Sequence, residues 1–221
     1  QDFLESTRVL TLQNGLGNVE TIETFVPPAS IIAGTTTHGA LQDKPGRVTH
    51  SGNGRTKIGC VGDDPTGFVP SVAEVFERNG IETTIITNVH EAIWEKVLVN
   101  VGINAATALA RVRNGTLVTE PAGERLLERA VEEAISVVSA EGFTPGEDIV
   151  ERAKTVAEVT GENRSSMFQD LLAERHTEIG ALNEAIVTRG ENHDIPVPVN
   201  RTLSDCIRLA ESGFSETTSK N

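Results

Sequence analysis

Lys96, Asn100 and Asn104 stand four residues apart in the run EAIWEKVLVNVGINAATALA, Glu91 to Ala110. At about 100° per residue, that spacing lays one ammonium and two amides along a single slowly drifting stripe of a helix. A stripe of this kind suits the holding and protonation of a carbonyl oxygen, because burial tunes a lysine pKa and amides can hydrogen-bond the rest of a small polar molecule. The plainer reading is a solvated face, or amides that cap neighbouring backbone groups. Two features favour chemistry. Lysine occurs only at positions 44, 57, 96, 154 and 220, so a chain that otherwise draws its positive charge from Arg has set one Lys in its most apolar helix. Asparagine is also a poor mid-helix residue, since its side chain competes for backbone hydrogen bonds.

The elements that position this stripe follow from patterning. Ile93, Trp94, Val97, Leu98, Val101 and Ile103 cover so much of the helix circumference that burial on both sides is expected. Upstream, VLTLQ (Val9 to Gln13) reads as a strand that ends in NGLGN before a helical VETIETF. This has the form strand, G-x-G, helix, but the third glycine of a dinucleotide loop is missing and Glu20 occupies the first helical turn, where its charge opposes a pyrophosphate. SIIAGTTTHGA reads as a buried strand, and RVTHSGNGRTKIGCVG as a hairpin turned at Gly52 to Gly54. His38, at a strand end, is a candidate acid or base whose plainer role is structural hydrogen bonding. A helix over Val69 to Arg78 is expected to stop at Asn79-Gly80, and IETTIIT to add a strand.

Beyond Thr87 every signal is helical. Pro121 and Gly142 bracket one helix; Pro145 and Gly161 are expected to bracket the next in the same way. Ser165, Ser166, Gln169, Asp170, Glu174, His176, Glu178 and Asn183 then gather polar groups around an apolar stripe, and PVNRTLSDCIRLAESGF makes a last helix. The expected fold class is α/β followed by all-α: residues 1–87 form one domain, 88–213 a helical one, and 214–221 a disordered tail.

Composition narrows the partners. A formal net charge of −13, from 32 acidic against 19 basic residues, argues against nucleic acid and anionic membrane surfaces. Acid-rich, lysine-poor composition of this sort resembles that of halophilic proteins. Cys60 and Cys206 have no CxxC or His neighbours, so no metal site is expected and a reducing cytoplasm is the default setting. No apolar run reaches the roughly 18 residues of a membrane span, and QDFLESTRVL has no signal-peptide core.

Five blocks in order, LTLQNGLGN (10–18), GTTTHGA (34–40), WEKVLVNVGINAATAL (94–109), SSMFQD (165–170) and RHTEI (175–179), resemble the 2-dehydropantoate 2-reductase (ketopantoate reductase) family. The resemblance implies a Rossmann domain that binds NADPH, here represented by its C-terminal part, and a helical domain like that of 6-phosphogluconate dehydrogenase relatives. It implies NADPH-dependent reduction of 2-dehydropantoate to (R)-pantoate, toward pantothenate and coenzyme A. Lys96 is then the general acid, and Glu178 holds substrate and keeps the lysine charged. Asn100 and Asn104 bind the substrate's hydroxyl end, and Ser166, or its neighbour Ser165, meets its carboxylate. Asn14 lies on the cofactor side, and a homodimer is a candidate assembly. The family's G-x-G-x-x-G loop and its flanking strands would precede Asn14 by some eighty residues. Without them, weak cofactor binding by this chain alone is expected. The competing functions are reduction of another 2-oxoacid and a non-catalytic helical module for dimerisation or ligand binding.

Overall fold

The computed structural model describes residues 7–64 and 66–214; the tail expected over 214–221 lies outside them except for Phe214. The chain divides into two compact units, Gln1–Ile93 and Trp94–Asn221.

In the first unit, β1 (Val9–Thr11), β2 (Ile31–Thr36), β5 (Thr56–Cys60) and β6 (Thr83–Ile85) form one sheet in the order β1-β2-β5-β6. β1 runs parallel to β2 with Val9 opposite Ile31, and β5 runs parallel to β6, whereas β2 and β5 are antiparallel with Gly34 opposite Ile58. The sheet is buried on two faces, which is why IIA and IGC read as apolar runs and not as alternating strands. Ile32 and Ile58 pack with Val69 and Ala73 of α2 (Phe68–Arg78). A second cluster joins Ala33 to Val19 of α1 (Asn18–Glu23) and to Val89, the first residue of α3 (Val89–Ala110). α2 ends at Arg78, is capped by Asn79 and is followed by Gly80 with φ 80°, the left-handed stop expected from the sequence.

The expected hairpin at Gly52 to Gly54 is not formed. β3 (Gly39–Lys44) and β4 (Arg47–Gly52) make a separate two-stranded ribbon in which Lys44 pairs with Arg47, so the turn is Pro45-Gly46. Pro sets the first turn position and Gly46, with φ 77°, supplies the left-handed second one, a stronger turn signal than Gly-Asn-Gly. Residues 53–55 instead carry the chain from the ribbon to β5.

In the second unit, α3 is followed by α4 (Thr116–Thr119), α5 (Pro121–Ala140), α6 (Ile149–Val159), α7 (Ser166–Leu172), a 3-10 turn (Glu178–Ala181), α8 (Asn183–Asn192) and α9 (Pro198–Ser212). α5 begins at Pro121, and Gly142 beyond its end has φ 85°, as the sequence suggests. α6 departs from that arrangement: Pro145 lies ahead of a turn closed by the Ile149 amide on the Gly146 carbonyl, and Gly161 is not left-handed. Gly161 is small for another reason. Its backbone lies against Gly115, whose amide donates to the Gly161 oxygen at 3.1 Å, and a Cβ on Gly115 would stand 3.0 Å from the Gly161 Cα.

α3 is buried nearly all round, with Trp94, Val97, Leu98, Val101 and Ile103 in the core. Gly102 lets it approach α5 closely, since a Cβ there would meet Val131 Cγ2 at 2.7 Å. A buried polar network locks the bundle. Asn183 Nδ2 donates to the Val101 oxygen of α3 at 3.1 Å and to Asn200 Oδ1 at 3.0 Å. Asn200 donates in turn to the Ala130 oxygen at 2.9 Å, and Glu133 accepts from the amides of Val199 and Asn200 at the start of α9. These bonds fix the rotation of α3 about its axis as well as its place.

Candidate active site

That rotation decides which stripe of α3 stays out of the core. Lys96 and Asn100 are half-buried and Asn104 is buried at 6 % exposure, so the stripe is most enclosed at its C-terminal end. Asn100 makes no side-chain hydrogen bond among the described residues, and the bonds recorded at Asn104 run to its backbone oxygen, from Thr107 and Ser165. Two amides within an apolar helix thus keep their hydrogen-bonding capacity. An arrangement that served only packing would have consumed it, because buried polar groups are normally paired.

Lys96 is tuned by two opposing effects. Burial pushes its ammonium below the ordinary lysine value of 10.5, and the Glu178 carboxylate pulls it part of the way back. Its neighbour Glu95 is engaged elsewhere, by Arg152 at 3.1 Å. Glu178 is therefore the carboxylate that acts on Lys96, and it belongs to an element remote in sequence.

The segment that carries Glu178 is held from behind. Thr177 precedes the 3-10 turn, and its hydroxyl accepts from the Ile179 amide at 3.2 Å. The Thr177 amide and hydroxyl both donate to Glu211 Oε1 at 2.7 Å. Glu211 is 4 % exposed, and its other oxygen receives Arg208 Nη1 at 3.1 Å and faces His176 Nδ1 at 3.5 Å. Burial alone would raise this carboxyl, but the bonds from Thr177 and Arg208 outweigh it and hold the group below the usual carboxylate range. Sequence reasoning assigned Glu211 nothing. The signal was present: Leu203, Ile207 and Glu211 repeat at spacings of four on the buried face of α9, so a carboxylate sits where the period calls for an apolar residue.

The two serines separate cleanly. Ser165 is buried as the N-cap of α7, its Oγ accepting from the Phe168 amide at 3.2 Å and lying 2.8 Å from the Thr107 hydroxyl. Ser166, the first residue of α7, is exposed and makes no side-chain bond among the described residues. Because Ser165 also reaches the Asn104 oxygen at 3.4 Å, Ser166 begins its helix beside the enclosed end of the stripe. The remaining polar residues of this region serve packing: Gln169 caps the Arg164 oxygen, Asp170 pairs with Arg175 at 2.9 Å, and Asn183 anchors α3. Thus Lys96, Asn100, Asn104, Ser166 and Glu178 all lie in the second unit.

Asn14 belongs to the first unit, half-buried after β1, with its carbonyl accepting from Asn18 Nδ2 at 3.0 Å. The loop that follows turns through Gly15 and Gly17, with φ 87° and 90°, and no atom would meet a Cβ on Gly17. This leaves open space at the carboxyl end of a strand, where open α/β sheets take nucleotides. The exposed Glu20 carboxylate in the first turn of α1 suits the loop to an uncharged ring and opposes a pyrophosphate. His38 is a structural hydrogen bonder: its Nδ1 accepts from the Gly54 amide at 3.2 Å and lies 3.3 Å from His50 Nε2. Among the described residues no group of three or more His, Cys, Asp or Glu could hold a metal, and no helix is long and apolar enough to cross a membrane.

The chain is similar to known proteins along most of its length. Residues 88–211 match the family model described as ketopantoate reductase PanE/ApbA C terminal, and residues 1–63 match the one described as ketopantoate reductase PanE/ApbA. The chain is 52 % identical over 207 residues to a 2-dehydropantoate 2-reductase of Halobacterium salinarum, an alignment that takes in 94 % of this chain and 68 % of the relative. Among solved structures it is similar to a PanE/ApbA family ketopantoate reductase from Ralstonia eutropha, with TM-score 0.86 and 32 % identity over 95 % of this chain and 68 % of that one. It is also similar to D-mandelate dehydrogenase in a ternary structure with NADH and anilino(oxo)acetate, with TM-score 0.89 and 26 % identity over 96 % and 70 % of the two chains.

Proposed function

Since the chain belongs to the ketopantoate reductase family, we propose that the stripe on α3 is where the ketone of 2-dehydropantoate is reduced to the hydroxyl of (R)-pantoate, with Lys96 as the acid. The protein is an oxidoreductase of pantoate synthesis, and its reductant is a nicotinamide dinucleotide, with NADPH the form proposed. When bound, the reduced dinucleotide supplies the hydride. Asn14 is the residue of the first unit proposed to contact it.

The chain's own groups do the rest. A ketone that gains hydride becomes an alkoxide, so a cation placed at its oxygen is most useful in the transition state. Lys96 supplies that charge and then the proton. Burial makes the proton easier to give than that of a solvated lysine, and Glu178 keeps it in place at neutral pH. Asn100 and Asn104 have amide capacity for the hydroxyl end of the substrate, and Ser166 a free hydroxyl for its carboxylate. The single observation that carries this reading is the opposition of burial and Glu178 at Lys96, beside two unengaged amides.

The test is steady-state kinetics on the protein and on Lys96→Ala and Lys96→Arg. Lys96→Ala should lower kcat by about 10²- to 10⁴-fold, the span of a positioned acid. Arg should not rescue it, because guanidinium gives up its proton too reluctantly. A folded Lys96→Ala with kcat within about tenfold of the parent would sink the assignment. The likeness to D-mandelate dehydrogenase supports a second reading, reduction of another 2-oxoacid. Turnover of 2-dehydropantoate no better than that of pyruvate or 2-oxoisovalerate would favour it.

A further inference from the structure

Glu211 is a buried carboxylate in α9 that the mechanism above does not use, yet it accepts both donors of the residue next to Glu178. We infer that Glu211 is a positioning residue of the reductase: through Thr177 it fixes the segment that aims the Glu178 carboxylate at Lys96.

The geometry supports this in three steps. First, both bonds from Thr177 go to the same oxygen, Oε1, so the amide and the hydroxyl of that residue are held at one point. The direction in which the chain leaves Thr177 is thereby restricted. Second, the Thr177 hydroxyl simultaneously accepts from the Ile179 amide and so starts the 3-10 turn whose first residue is Glu178. Third, the carboxylate is itself clamped. Arg208 and His176 face its second oxygen, and Arg208 is held on its far side by Glu184 of α8. Glu211 thus meets two neutral donors, one guanidinium and one imidazole, and Lys96 meets Glu178. A loop glutamate without such an anchor would spread over many rotamers and give a buried lysine little field. A burial role alone would be served by a leucine at position 211, in line with Leu203 and Ile207.

The inference rests on the proposed function of Lys96, and its readout is chosen to stand apart from turnover. The five lysines make side-chain 13Cε titration by NMR tractable in this chain. Glu211→Ala should let the Thr177 amide exchange freely and lower the Lys96 pKa, because the Glu178 charge that raises it is no longer held in place. Glu211→Gln keeps an acceptor at Oε1 and should return the Lys96 titration most of the way to that of the parent. Should Glu211→Ala not fold, Thr177→Val removes the hydroxyl half of the link and should lower the Lys96 pKa in the same direction. A Lys96 titration unchanged in the Ala or Val variant, with only a lower Tm, overturns the positioning role. That failure is distinct from failure of the functional reading, which would show as turnover retained in Lys96→Ala.

Discussion

Asn183 Nδ2 and the main-chain oxygen of Val101 are 3.1 Å apart, so an amide from α8 grips α3 in the turn between Asn100 and Asn104. Both residues are fully enclosed, and the same nitrogen also satisfies Asn200 Oδ1. Asn183→Ala would leave that oxygen buried without a donor, at a cost of about 1–3 kcal/mol. In a chain of this size the cost should appear as a fall in Tm of about 2–12 °C. A thermal melt unchanged to within about 1 °C would mean that the network does not set the position of α3.

Lys96 ties pH to both activity and stability. Its folded-state pKa lies below the ordinary 10.5, so above the folded value and below 10.5 the folded protein binds fewer protons than the unfolded one. Stability therefore rises with pH through that window, and below it the burial penalty is present in full. Lys96→Met should raise Tm at neutral pH, and the advantage should shrink as pH climbs toward 10.5. For activity, the acid is lost as pH rises through the folded value. Glu178→Gln removes the charge that raises that value, so the basic limb of kcat against pH should move down. A limb that stays in place or moves up would rule out Glu178 as the partner.

Much of this was legible in the sequence, and the failures have physical causes. The stripe at 96, 100 and 104 was readable because helical period and side-chain chemistry are both local. Its enclosure followed from the apolar residues around it. One turn signal misleads: Gly52 to Gly54 resembles a turn, but Pro45-Gly46 makes the tighter one. Gly161 does follow the end of α6, next after its cap Thr160, but without a left-handed φ, and its lack of a side chain serves the close approach to Gly115. The choice between Ser165 and Ser166 needed the third dimension, since only the contact with Thr107 separates a cap from a free hydroxyl. The roles of Glu211 and Asn183 are hidden for the same reason: their partners, Thr177 and Val101, lie 34 and 82 residues away in sequence.

The acidic surface gives a prediction about salt. With a net charge of −13, self-repulsion opposes the compact state at low ionic strength. At about 0.1 M salt the screening length is about 10 Å and falls to a few Å in molar salt. Tm should therefore rise by more than about 4 °C, the equivalent of about 1 kcal/mol, between about 0.1 M and about 2 M salt. A flat profile over that range would show that local pairs, such as the contacts of Lys154 with Glu124, Glu128 and Glu151, already compensate the excess.

Ser165 and Ser166 should respond in opposite ways to the same substitution. Ser165 caps α7 and is enclosed with Thr107, so Ser165→Ala should cost about 0.5–2 kcal/mol of stability, the usual loss for an N-cap. Its effect on KM should be small, because its hydroxyl is already committed within the protein. Ser166 is exposed and uncommitted, so Ser166→Ala should leave Tm within the range of about 0.5 kcal/mol typical of surface changes. If its hydroxyl meets the substrate carboxylate, a bond to a charged group worth about 1.5–3 kcal/mol is lost, and KM should rise by about tenfold or more. A contact made alike in ground and transition states is uniform binding, so kcat should hardly change. Thermal melts and steady-state kinetics on the two variants are the measurement. A raised KM in Ser165→Ala with unchanged Tm, beside an unaffected Ser166→Ala, would transfer the carboxylate contact to Ser165 and require α7 to begin differently when substrate is bound.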